Sequence, residues 1–148
     1  VPFAKTKEMI AMYHDSLDAA GHNPADHGVM APMHCYIHED VEVAKATIRE
    51  PIVRYVGYVR DAVAGDTWSS DYAGYQGMVK GIESLMDFDV MYDQRTLFGD
   101  PQHARECLET VLDLGVTEIS LVTQMPGLAQ DKILDSMRLF AREVMSHY

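Results

Sequence analysis

The sequence predicts an α/β fold with parallel strands, and three observations carry that expectation. Amphipathic helical stripes alternate with short runs rich in β-branched residues. Each stripe is apolar on one side only, as helices laid against a sheet require. Helix punctuation stands where the alternation needs it: Asp100-Pro101 at one opening, Gly21 and Gly115 at two exits.

In chain order, Met9, Ile10, Tyr13, Leu17 and Ala20 recur at helical spacing over residues 5–20, which predicts a helix packed on a sheet. Residues 29–38 are apolar, with β-branched and aromatic members, and read as a strand. Pro32 lies inside that run and lacks a ladder donor, which puts the core of the strand at 33–37 or Pro32 at an edge or bulge. Asp40 caps the next helix. Its stripe, Ala44, Ile48, Ile52, Tyr55, Val56, Val59 and Val63, crosses Pro51, where a kink is expected.

Residues 67–95 then insert about thirty positions before the next strand, a length that marks either an extra packed layer or a cover over a site. A helix is expected over 70–86 within this insertion, and a short strand over 95–99. Asp100 and Pro101 open a helix with Ala104, Cys107, Leu108, Val111 and Leu112 on one side. The strand 117–123 follows. Met125-Pro126-Gly127 ends it, and Asp131 opens a last helix whose stripe is Ile133, Leu134, Met137, Phe140, Ala141, Val144 and Met145.

Two of these stretches carry a resemblance. FGDPQHARECLETVLDLGVTEISLV, followed by ILDSMRLFAREVM, resembles the C-terminal end of the bacterial luciferase-like flavin-dependent monooxygenases. That family has a Gly-x-Pro turn before its seventh helix and a Gly-Val/Ile-x-x-Ile segment leading into its eighth strand. Its chains end in Ser-Met/Leu-x-Leu-Phe-x-x-x-Val-Met-Pro, and Ser146 stands here in place of the final proline. The stretch 6–24, ending in Ala20-Gly21-His22-Asn23-Pro24, fits the pattern before the sixth strand.

Family members are more than twice as long. The resemblance therefore implies a single partial domain over 1–148, the C-terminal part of a (β/α)8 TIM barrel comprising about strands 6–8 with their helices, and residues 67–95 as a helical insertion or lid. It implies oxidation of an apolar or aldehyde-like small molecule by O2 and reduced flavin mononucleotide (FMN) supplied by a reductase, or by a deazaflavin in some relatives. The protein's part in such chemistry is a dry pocket around the reacting flavin. The expected partners are the missing N-terminal barrel portion or a second copy. The alternative is a non-catalytic half-barrel module that self-associates as an oligomer.

A formal charge of −11 and a pI near 4.9 exclude a concentrated basic surface, and with it nucleic-acid and anionic-membrane partners. Cys35 and Cys107 read as small core residues rather than a disulfide, and no apolar run reaches membrane-spanning length, so a cytoplasmic home is expected.

If the barrel holds, ligands belong at the carboxyl ends of the strands. The candidate cofactor or substrate residues there are Tyr36, His38, Arg95, Thr123, Gln124 and Met125. His34, Tyr36 and His38 share one strand face, where packing residues are the simpler reading of the first two. Arg95 is the one cation near its strand and has Asp93 and Asp100 as alternative partners. Thr123, Gln124 and Met125 precede a helix N-terminus, where amides attract anions. No metal is expected: on a strand, unlike a helix, four-residue spacing does not bring His34 and His38 together. Ser120 and Ser136 have no base nearby in sequence and no elbow motif, so no nucleophile is assigned.

Overall fold

The computed structural model describes residues 3–63, 86–94 and 96–148. Helix α1 (Phe3–Ala19) leads through a 3-10 turn at Pro24–Asp26 to β1 (Met30–Ile37) and the long helix α2 (Val41–Val63). Then come α3 (Phe88–Gln94), β2 (Leu97–Gly99), α4 (Pro101–Leu112), β3 (Glu118–Val122) and α5 (Gln130–Glu143). The helix expected over 70–86 and most of the cover expected over 67–95 lie outside the described residues.

The three strands are parallel, as expected, but their order is β2-β1-β3 and not the sequential order. Cys35–Ile37 pair with Leu97–Gly99, and Met30–His34 pair with Glu118–Val122, so the two halves of β1 have different neighbours. The single outer layer of helices that the expected (β/α)8 barrel requires is corrected as well. Met33, Cys35 and Ile37 enter one core with Ile10, Leu108, Val111 and Phe140, that is, with α1, α4 and α5. Tyr36 and Phe98 enter a second core with Ile48, Ile52 and Phe88, that is, with α2 and α3.

Successive side chains of a strand point to opposite faces, so these are the two faces of one sheet. Handedness explains the split. The step from β1 to β2 moves one way along the sheet, and the step from β2 to β3 moves back past β1. Right-handed crossovers in opposite directions must use opposite faces.

Register also accounts for Pro32. The His38 N–H donates to Gly99 O, while Val29 O accepts from Thr117 and Glu118, so even residues of β1 bond toward β2 and odd ones toward β3. Pro32 faces the β2 side, where β2 pairs only as far back as Cys35, and no ladder bond is lost. The strand therefore starts at Met30, earlier than the expected core.

Helix signals fare well, with two adjustments. Asp100 caps α4 by accepting the His103 N–H at 2.8 Å, with Pro101 in the first turn, and α2 runs on through Pro51. The residue before α5 is Ala129, without a side-chain cap, and Asp131 sits in the first turn instead. The buried stripe of α5 is Ile133, Ser136, Leu139 and Phe140, continued by Val144 just beyond it, which leaves Leu134, Met137, Ala141 and Met145 exposed on the flank. Among the described residues of α1 only Ile10 is buried; Met9 and Tyr13, expected against the sheet, are exposed because the helix stands off from β1 across an apolar groove. No described helix is long and apolar enough to cross a membrane, and both cysteines are free thiols.

Candidate functional site

In an open parallel sheet, a crevice forms where two neighbouring strands send their following helices to opposite faces. β1 and β3 are such a pair, since β1 leads to α2 on one face and β3 to α5 on the other. A crevice of about 400 Å³ lies there, beyond the carboxyl end of β1, between the start of α2 and the body of α5. Its polar lining includes Tyr36 and His38 from β1 and its end, Thr47 from α2, and Lys132, Ser136 and Arg142 from α5.

The floor is set by backbone demand. β3 stops pairing at His34, so the Ile37 N–H, which faces that side, has no strand partner. Ser136 Oγ accepts it at 2.8 Å from within the buried stripe of α5. An unpaired amide there would cost about 1–3 kcal/mol, and this is why a hydroxyl interrupts an apolar stripe. The Tyr36 phenol is buried beside it. Burial first, then the charges of Asp131 and Asp135, push its pKa up, opposed by a hydrogen bond with the Thr47 hydroxyl.

His38 continues the wall. Its Nδ1 accepts the Asp40 N–H at 2.9 Å, while Asp40 Oδ1 accepts the amides of Glu42 and Val43 at the start of α2. At the rim, Arg142 pairs with Glu39 at 3.3 Å and Arg138 with Asp135 at 2.8 Å.

Of the residues expected from sequence, the crevice brings together Tyr36 and His38. Thr123 and Gln124 do not line it, Met125 is a core residue packed with Tyr36 and Phe98, and Arg95 lies outside the described residues. Thr47, Lys132, Ser136 and Arg142 were not anticipated. The one available signal was Ser136, a polar residue in phase with Ile133, Leu139 and Phe140.

His34 faces α2, away from the crevice. Its ring meets Tyr55 edge-on at 4.8 Å, and among the described residues its buried Nε2 has no partner. Burial lowers its pKa below the ordinary imidazole value of 6.5. The unfolded chain therefore takes up a proton that the folded chain resists, so stability present above that value falls as pH drops through it. Denaturation midpoints measured from about pH 7.5 to about pH 5 should fall further for the native chain than for His34→Phe; parallel curves would show that His34 does not contribute.

At the end of β2, Lys45 Nζ lies 4.1 Å from the Tyr92 ring centroid, and Tyr92 stacks on His103 at 4.4 Å. Gly99, at φ +119°, lets the chain pass beneath this stack. Among the described residues no group of three His, Cys, Asp or Glu is placed to hold a metal ion.

The fold and crevice can be set beside known proteins. Residues 1–118 match the luciferase-like monooxygenase family. The chain belongs to that family. The match ends where β3 begins, so the C-terminal motifs that carry the resemblance lie partly beyond it. No curated protein matches the chain significantly.

Among solved structures, the monooxygenase RslO1 from Streptomyces bottropensis is similar over the whole chain, with a TM-score of 0.73 and 21% identity. The coenzyme F420-dependent tetrahydromethanopterin reductase from Methanopyrus kandleri is similar over 99% of it, with a TM-score of 0.64 and 19% identity. At those identities the likeness is one of fold. The chain spans only 39% and 43% of the two proteins.

Proposed function

We propose that this chain is the C-terminal part of a flavin-dependent, luciferase-like monooxygenase that oxidises an apolar or aldehyde-like small molecule with O2 and reduced flavin. The match of residues 1–118 to the family carries the reading. FMN is the favoured cofactor, with a deazaflavin as the alternative because one similar structure is that of an F420-dependent reductase. In this proposal the rest of a (β/α)8 barrel comes from an N-terminal portion or a second copy, and completing it requires β1, β2 and β3 to become sequential neighbours with every helix outside, in place of the β2-β1-β3 order with helices on both faces. The expected setting is cytoplasmic.

The described crevice does not fit a flavin ring. Its rim is Glu39, Arg138 and Arg142, all exposed, and hydrated charges of this kind do not exclude water from a reacting atom. No oxidation step is therefore assigned to these residues. Their part is to build one wall of a larger site.

Titration of oxidised and reduced FMN into the purified chain, with mass measured by size exclusion, tests the proposal. The expected result is no tight binding, a mass above that of a monomer, and binding restored when the N-terminal portion is supplied. Binding at about micromolar strength or tighter by a monomer would defeat it.

One observation favours the second reading, a self-associating module without flavin. The outer side of α1 exposes Met9 at 52% and Met12 at 68% beside a groove of about 570 Å³. A stable oligomer that never binds flavin, even with the N-terminal portion present, would decide for the module.

A further inference from the structure

The polar groups of the crevice divide by what each has already donated or accepted. The acceptors are engaged. Asp135 takes Arg138, Glu39 takes Arg142, and the Asp40 carboxylate takes two amides of α2. The donors are not. Lys132 makes no ion pair with a described residue, although it lies on the crevice. His38 accepts through Nδ1, which leaves the proton of the neutral ring on Nε2. Ser136 accepts the Ile37 amide through Oγ and keeps its own O–H to give.

The Tyr36 hydroxyl is already hydrogen-bonded with Thr47 and is not among the free donors. Glu39 and Asp135 each already face an arginine, so a cationic ligand would compete with those pairs. An apolar one would leave the free donors of Lys132, His38 and Ser136 unused.

We propose that the crevice is a receptor for an anionic acceptor group, a phosphate or a carboxylate, bound by Lys132, His38 Nε2–H and Ser136 O–H. In a chain of net charge −11, such a collection of unspent donors is a local feature and not the general surface. About 400 Å³ is room for a small molecule around that group, with the apolar Ile37, Val43 and Leu139 beside it. The proposal rests on the crevice being the ligand side of the sheet, and not on the flavin assignment.

The test is a titration of the full chain with inorganic phosphate, and separately with acetate, at constant ionic strength, followed by amide NMR. Saturable shifts are expected at Ile37, His38, Lys132 and Ser136. Lys132→Gln, at an exposed position that leaves the fold intact by circular dichroism, should weaken binding about tenfold. Arg60→Gln, elsewhere on α2, should leave it unchanged.

Competition by FMN but not by riboflavin would identify a cofactor phosphate as the source. Tighter acetate binding at the same amides, with neither flavin competing, would identify a substrate carboxylate. Shifts that never saturate with either anion, or equal affinity in Lys132→Gln, would overturn the proposal. A failed flavin titration leaves this result standing, and a failed anion titration leaves the family reading standing.

Discussion

Replacing Phe140 with alanine lowers stability by about 3–5 kcal/mol and the melting temperature by roughly 6–20 °C. Phe140 is buried in the core that joins α5 to Met33, Cys35 and Ile37 of β1, alongside Leu108 and Val111 of α4. Truncation removes the ring from three elements at once, and the sheet cannot collapse to refill the space without breaking the Ile37–Ser136 bond. Met137, one turn earlier and 47% exposed, is the internal control: Met137→Ala should fall within about 0.5 kcal/mol of the native chain. Equal midpoints for the two variants in chemical denaturation would show that α5 is not seated on this face.

Gly99→Ala is expected to cost about 1–3 kcal/mol through the backbone alone. Gly99 ends β2 at φ +119°, a region side-chain-bearing residues rarely enter. A Cβ there would also lie 3.0 Å from the Tyr92 hydroxyl and 3.4 Å from the His103 ring, so relief of the backbone comes only by parting the stack over the chain. The same variant should therefore weaken the near-ultraviolet circular dichroism of the folded protein, an aromatic signal that a purely local backbone penalty would leave unchanged. A native spectrum with a native midpoint would refute the account.

The elements were legible because their signals are local. Asp100 caps α4 through a bond three residues away, and the β-branched run before Met125 is β3 wherever it pairs. Strand order was not legible, because it depends on which face each crossover covers. One clue was present: residues 33–37 alternate hardly at all, apart from His34, and a near-continuous apolar run marks a strand buried on both faces. Tyr36 and His38 could be placed at the site from their position at a strand's end. Lys132 and Ser136 could not, since they reach it from a helix far along the chain and nothing near them in sequence refers to β1.

The fastening of β1 has a consequence for how the chain is made. The Val29 amide is held by Thr117, 88 residues on, and the Ile37 amide by Ser136, 99 residues on. During synthesis at about 5–20 residues per second, β1 waits about 5–20 s for the segment that secures its carboxyl end. Throughout that interval an apolar strand with an open edge is a template for the same strand of a neighbouring nascent chain. Crowded polysomes are therefore one condition that exposes β1 to misassembly.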